Sequence, residues 1–145
     1  MKLLRLIDKI FKPSTAYAHC DVPCGIYKAE PSQTAAETVA KMVELIEALP
    51  KENPTADDRN KFVRCVNTKE QHAELCKREL LILWTDFFKP EHLEKWPDLH
   101  DKVWKATKLC SENKREVSSQ KAQQLLSAVV EIGDILKKSQ AAVKK

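Results

Sequence analysis

Glycine is nearly absent from this sequence, with two residues among 145. Few segments alternate apolar and polar residues in the manner of β-strands. Hydrophobic residues make up 43% of the chain and charged residues 32%, so a core and a solvated surface can both form. The length suits one domain of roughly 100–150 residues. Together these features predict a single all-α domain.

Long apolar runs and a basic surface are also missing. No stretch approaches the ~20 apolar residues that a membrane-spanning helix requires. The net charge of +4 comes mainly from residues 1–18, which carry four basic residues and one acidic residue. The remainder has 21 basic and 20 acidic residues. It therefore lacks the basic stripe that nucleic-acid binding requires, and we expect neither a membrane nor a nucleic-acid partner.

The five cysteines form no even set from which a disulfide framework could be built. Cys65 and Cys76 lie eleven residues apart on one predicted helix, which separates them by roughly 16 Å. A disulfide bond tolerates a Cα separation of only about 7 Å. We expect these two to be buried free thiols, as is usual in a reducing compartment such as the cytoplasm.

Four amphipathic helices follow from the apolar spacing, and short connections predict an up-down-up-down four-helix bundle over about 34–138. Helix one, 34–49, begins with a Thr34–Glu37 capping box, and helix two, 56–87, has Thr55 as its N-cap. Helix three covers 98–112, and Ser118 or Ser119 caps helix four. We expect a turn over 90–97 and a frayed tail over 139–145. The predicted core stripe of helix two contains Phe62, Val63, Val66, Ala73, Cys76, Leu80, Leu83, Trp84 and Phe87.

Residues 1–18 have the character of a processing leader. Charged residues interrupt the apolar run of about 7–15 residues that a secretory signal needs. Ala16-Tyr17-Ala18 nevertheless ends in the A-x-A form of a cleavage site, so we expect proteolysis between Ala18 and His19. A genuine signal peptide with a poor core, or an amphipathic helix that stays attached, are the alternatives.

The next nine residues are His19-Cys20-Asp21-Val22-Pro23-Cys24-Gly25-Ile26-Tyr27. Two thiols and an imidazole stand within six positions, and the proline and glycine predict a turn around the second thiol. Thiolate and nitrogen donors held in one plane suit tetragonal copper(II) or nickel(II). The pattern therefore predicts a metal site.

This stretch, residues 19–27, resembles the nickel hook of the nickel-containing superoxide dismutases. The run LWTDFFKPEHLEKWPDLH over 83–100 and the run KEQHAEL over 69–75 also resemble that family. The resemblance implies a domain 19–145 made of the hook and a four-helix bundle. It also implies a homohexamer, produced as a precursor that a processing protease activates.

The resemblance supplies the ligands as well. The α-amine of His19, the Cys20 amidate and the thiolates of Cys20 and Cys24 would form a square plane around nickel, with the His19 imidazole as axial ligand. These anionic donors would bring the Ni(II)/Ni(III) couple into the range of superoxide. The implied activity is conversion of superoxide to O₂ and H₂O₂.

Other residues receive expected roles beside this ligand set. Pro23 would fix the turn, and Gly25 would let the backbone pass close by without a Cβ clash. Asp21 and Tyr27 would hold water and screen the open face of the metal. Lys89 would attract the superoxide anion.

The sequence departs from the family at three supporting positions. Ala35 and His72 stand where well-known members carry an acidic residue and an arginine that steady the hook histidine. Two alternatives follow: His72 substitutes in this supporting contact, or the contact is absent. Phe87 replaces a tyrosine that lines the site in some members, which leaves Tyr27 as the phenol there.

Two other functions remain open from the residues. One is a nickel or copper delivery protein that binds metal without turnover. The other is a small exported helical protein with a Cys20–Cys24 disulfide. Superoxide consumption by metal-loaded protein and thiol titration would separate the three possibilities.

Overall fold

The computed structural model describes residues 25–143, and within this range the chain contains helices and no strand. Four helices are long: α1 over Glu30–Glu47, α2 over Ala56–Ile82, α4 over Leu99–Arg115 and α5 over Ser119–Val143. A π-helical turn over Leu83–Phe87 extends α2, and a short helix, α3, covers Pro90–Lys95. The all-α expectation is confirmed.

The long helices form an antiparallel ring in which α1 and α4 each pack against both α2 and α5. Lys69 of α2 reaches the end of α4, whereas Trp84, beyond the end of α2, contacts His100 at the start of α4. Ser119 at the start of α5 bonds Glu47 at the end of α1, and Gln140 near the end of α5 reaches back to the residues before α1. The predicted up-down-up-down bundle is therefore confirmed. None of the described helices is both long and apolar enough to cross a membrane.

The core lies between these four helices and takes small and branched residues from each. Its fully buried members include Ala36, Val39, Val43, Ala73, Cys76, Leu80, Leu99, Val103, Cys110, Leu125, Val129, Ile132 and Leu136.

Helix α1 begins four residues earlier than predicted. Pro31 lies in its first turn, where a proline costs little because that N–H has no partner inside the helix. Thr34 is therefore already helical, and the predicted Thr34–Glu37 capping box is wrong. The predicted N-cap of α2 is confirmed. The Thr55 hydroxyl accepts from the Asp58 N–H at 3.1 Å, and the Asp58 carboxylate accepts from the Thr55 N–H at 2.9 Å.

The first turns of α2 are exposed, contrary to the predicted core stripe. Phe62 is 44% and Val63 is 55% exposed. The reason is the length of the neighbouring helix, since α4 ends at Arg115, level with Lys69. Residues before Lys69 thus have no α4 beside them. Farther along, Ala73, Cys76, Leu80 and Leu83 are buried as predicted.

Lys69 occupies the core position that the apolar pattern did not predict. It is 1% exposed, and its ammonium donates to the carbonyls of Asn113, of Lys114 at 3.1 Å and of Glu116 at 3.0 Å. Those carbonyls end α4, where a cation offsets the negative end of the helix dipole. Burial lowers the pKa of Lys69 from its ordinary value, while the three acceptors favour its charged form.

Two further expectations are wrong at connections. Residues 90–97 contain helix α3 rather than only a turn, because Pro90 suits the first helical position and the His92 side chain accepts the Lys89 N–H at 2.9 Å. The tail does not fray from residue 139, since α5 continues to Val143. Ser139 is 1% exposed and donates to the Ile135 carbonyl.

Replacing Lys69 with methionine should lower the free energy of unfolding by about 3 kcal/mol, because three carbonyls at the end of α4 lose their donor. Denaturant unfolding measures the change. Lys105→Met is the matched control, because Lys105 is 63% exposed and, among the described residues, makes only an ion pair with Asp101. That control should stay within about 0.5 kcal/mol of the wild type. Equal effects of the two substitutions would contradict the structural role of Lys69.

Candidate functional site

The predicted ligands His19, Cys20 and Cys24, together with Asp21 and Pro23, lie outside the described residues. The expected leader, residues 1–18, and its cleavage site after Ala18 also lie outside the described residues. The donor chemistry of the predicted ligands fits nickel, since two thiols, an imidazole and an amine can supply soft and nitrogen ligands together. Residues 25–143 contain no group of three or more histidine, cysteine or acidic side chains that could hold a metal.

Gly25, the first of the described residues, has a φ of +70°. This left-handed conformation is strained for residues with a Cβ. A Cβ built there would find no heavy atom of the described chain within 4 Å. Glycine is therefore required here by backbone conformation, and the described part of the chain gives no support to the close approach expected from the sequence.

The last residue of the hook and the segment that follows it are fixed to α5 at two points. The side-chain amide of Gln140 donates to the Tyr27 carbonyl at 2.7 Å. Two residues on, Ala29 is buried against Gly133, where a Cβ would stand 2.9 Å from the Ala29 Cβ. Only glycine allows this approach. Sequence reasoning missed both contacts, although an isolated glycine in a helical pattern is a recognisable signal of close packing.

Tyr27 rests on an aromatic cluster formed by Phe87, Phe88 and His92. The Tyr27 and Phe87 ring centroids are 5.5 Å apart. Phe87 in turn lies 5.2 Å from Phe88 and stacks on His92 at 5.3 Å. The structure thus brings the predicted site residue Tyr27 into contact with the segment that precedes Lys89.

The π-helical turn sets the direction of these rings. Its wide backbone bond joins the Phe88 N–H to the Leu83 carbonyl at 3.0 Å. Such a turn holds one residue more than an α-helical turn, so the side chains after it are rotated about the axis. Phe88 is consequently buried, while Phe87 remains half-buried beside Tyr27.

Lys89 follows this cluster directly and is exposed at the N-terminus of α3. Its ammonium takes part in none of the ion pairs formed among residues 25–143. Its backbone N–H donates to Nδ1 of His92. An exposed cation two residues after Phe87, whose ring contacts Tyr27, suits the attraction of a small anion.

A cavity of about 170 Å³ separates the start of the described chain from α2. Its walls come from the segment before and at the start of α1 and from the end of α2: Ile26, Tyr27, Lys28, Pro31, Glu79, Ile82 and Leu83. The cavity therefore lies beside Ile26 and Tyr27, the last two residues of the hook.

His72 lies seven residues before Glu79 on α2, roughly 10 Å along the axis. Its Nδ1 donates to the Thr68 carbonyl at 2.9 Å, which leaves Nε2 as the acceptor of the neutral ring. The structure does not place His72 in the aromatic cluster. Ala35 is 1% exposed and offers no polar group.

The three described cysteines are buried and free, as predicted for Cys65 and Cys76. A hydrogen bond with Cys110 that favours the protonated thiol, together with burial, raises the pKa of Cys76 above its ordinary value. A protonated buried thiol is a poor nucleophile and a poor ligand. These thiols are structural.

Comparisons with known proteins agree with this arrangement. Residues 14–140 match the family model described as nickel-containing superoxide dismutase. The superoxide dismutase [Ni] of Streptomyces seoulensis is 35% identical over 131 residues, which cover 90% of this chain and 95% of that protein. The enzyme from Streptomyces coelicolor has the same identity and coverage. Two crystal structures of nickel-containing superoxide dismutase each superpose with a TM-score of 0.75 and cover 85% of this chain and 99% of theirs. One is in the oxidised state at 35% identity, and the other is native at 33%.

Replacing Gln140 with leucine should loosen the residues that leave the hook, because the Tyr27 carbonyl loses a donor worth about 1 kcal/mol. We expect faster hydrogen exchange at the amides of residues 26–29, measured by NMR. Gln124→Leu, an exposed glutamine on the same helix, is the control and should leave those amides unchanged. Unchanged exchange in Gln140→Leu would show that this bond does not hold the segment.

Proposed function

The chain belongs to the family of nickel-containing superoxide dismutases, and we propose that its nickel is held by His19, Cys20 and Cys24. The protein is an oxidoreductase that converts superoxide to O₂ and H₂O₂ with a nickel cofactor. The single observation that carries the activity is similarity over nearly the whole length of the family's enzymes. The ligand assignment rests on the residue pattern at 19–24.

The nickel ion supplies one-electron exchange with superoxide. The protein supplies the donors, and in this assignment they are the α-amine and imidazole of His19, the Cys20 amide nitrogen and the thiolates of Cys20 and Cys24. The buried and protonated Cys76 is not a competing donor. This contrast supports the hook thiols as the metal-binding pair.

Residues 1–18 act as a leader in this proposal, and cleavage after Ala18 by a processing protease makes the enzyme competent. While Ala18 is attached, the His19 nitrogen is an amide whose lone pair is delocalised into the carbonyl. A free α-amine has a pKa of ~7.7–8.0 and can give up its proton to a metal near neutral pH.

Other residues in the hook and on the bundle have the remaining roles in this proposal. Asp21 and Tyr27 hold water and screen the metal face, and Pro23 fixes the turn. Lys89 attracts superoxide, a role supported by its exposure and its lack of an ion pair within residues 25–143. His72 supports the hook histidine through Nε2, because Nδ1 is engaged with Thr68.

We also propose a cytoplasmic homohexamer. Large apolar side chains remain exposed on the described surface, including Leu75, Leu81 and Trp104, each more than 40% exposed. Neighbouring subunits would cover such surfaces. The free buried thiols Cys65, Cys76 and Cys110 support a reducing compartment, which cell fractionation would test.

Delivery of nickel or copper without turnover is the weaker alternative. It leaves unexplained why the likeness to the enzymes extends across the bundle and not only the hook. Nickel-loaded protein that failed to consume superoxide would favour it.

A chain that begins at His19 and carries nickel should dismute superoxide, whereas the full-length chain should be nearly inactive. The physical reason is the amide at the His19 nitrogen. Pulse-radiolysis decay of superoxide measures activity, and mass spectrometry verifies the termini. A chain that begins at Ala18 is the stringent control, because it restores the amide with one extra residue. Equal rates for the trimmed and uncut proteins would contradict the mechanism.

Cys20→Ser and Cys24→Ser should each abolish nickel binding and activity while the helical fold persists, because a hydroxyl donates too weakly to replace a thiolate. Nickel content and circular dichroism measure the two effects. Cys65→Ser serves as the control. It should lower stability and leave the nickel content intact, since Cys65 is buried in the bundle. Normal activity in either hook variant would remove the proposed ligand set.

Light scattering of the processed protein should give a mass of six chains. We expect Leu81→Lys to shift this mass downward, because it places a charge on an exposed apolar position. Glu91→Lys, at an exposed polar position, is the control. An active enzyme that remains strictly monomeric would contradict the hexamer.

A further inference from the structure

His92 contacts the last three residues of the segment that joins α2 to α3. Nδ1 of its ring accepts the Lys89 backbone N–H at 2.9 Å. The face of the same ring stacks on Phe87, with centroids 5.3 Å apart and planes inclined by 17°. Its edge meets Phe88 at 5.7 Å. One half-buried side chain thus touches three consecutive residues.

These contacts connect Lys89 and Tyr27, two described residues to which the proposed function gives a role at the metal site. Phe87 also contacts Tyr27, with 5.5 Å between the ring centroids. Lys89 is exposed and precedes a helix of only six residues, which is too short to hold its own first turn firmly. Without the bond to His92, the Lys89 N–H would have no partner among the described residues.

We propose that His92 is a positioning residue of the superoxide reaction: it holds the Lys89 backbone and the Phe87 ring so that Lys89 keeps a fixed position relative to Tyr27, the last residue of the hook. This inference rests on the proposed function in assigning those two residues to the site. Its chemical content is specific. The neutral ring must carry its proton on Nε2, because Nδ1 accepts a hydrogen bond. His92 contacts no reacting atom in this role.

Two substitutions separate the two contacts. His92→Phe keeps an aromatic ring for the stack and removes the acceptor. His92→Asn removes the ring and keeps an oxygen close to the position of Nδ1. His100→Asn is the matched histidine control, because His100 is exposed and touches Trp84 without reaching Lys89.

The first measurement needs no metal. In the full-length chain, the Lys89 amide should exchange with solvent at least about threefold faster in His92→Phe than in the wild type, because it loses its acceptor. His92→Asn should restore the slow exchange. Nitrogen-detected NMR of the wild type should find the ring proton on Nε2. The amides of α2 report whether each variant remains folded.

The second measurement uses the nickel-loaded chain that begins at His19. In His92→Phe, kcat/KM should fall by about threefold or more and should depend less on ionic strength, because the attracting cation is no longer fixed. His92→Asn should recover the salt dependence, and His100→Asn should match the wild type. A merely structural role would lower stability without changing the response to salt.

The inference would be overturned if His92→Phe kept the wild-type exchange rate of the Lys89 amide and the wild-type salt dependence of kcat/KM. It would also be overturned if His92→Asn failed to restore either quantity. Lys89→Gln separates this failure from that of the proposed function. If Lys89→Gln keeps the wild-type salt dependence, the attraction of superoxide by Lys89 is contradicted, and the kinetic part of the inference falls with it. The exchange measurement does not depend on activity and still decides whether His92 holds residue 89.

Discussion

The hydrogen bond from Gln140 to the Tyr27 carbonyl is the constraint on which the site depends. The predicted hook is a few residues long and cannot bury a core of its own, so its position must come from the bundle. This bond and the Gly133–Ala29 contact tie the residues after Cys24 to the last turns of α5. Helix α5 therefore positions the residues before α1, although Gln140 and Tyr27 are 113 residues apart in sequence.

The π-helical turn is the second feature that positions Tyr27. It rotates Phe87 under Tyr27 and directs the chain into Lys89 and α3. An α-helical turn in its place would carry these rings to another face of α2. Extra residues of this kind are frequent at functional sites, and here the extra residue decides which aromatic ring faces the hook.

Charge and protonation distinguish the working groups from the structural ones. Lys69 and Lys89 are both lysines, yet Lys69 is buried against three carbonyls at the end of α4 and Lys89 is exposed without an ion pair in the described chain. In the same way Cys76 is kept protonated by burial and by Cys110. The environment, more than the residue type, decides which lysine is exposed to solvent and which thiol stays inert.

The sequence by itself determined the helical class, the bundle topology, the Thr55 cap and the family, because apolar periodicity and the local motifs at 19–27 and 83–90 are written in consecutive residues. Tertiary structure alone decided that Phe62 and Val63 are exposed, that Lys69 is buried, and that α1 begins before Thr34. It also decided which residues hold Tyr27 and Lys89, namely Gln140 and His92. A period of 3.6 residues identifies the face of a helix, but not how far its neighbour extends along it. Contacts such as Gln140 to Tyr27 arise only when distant segments meet.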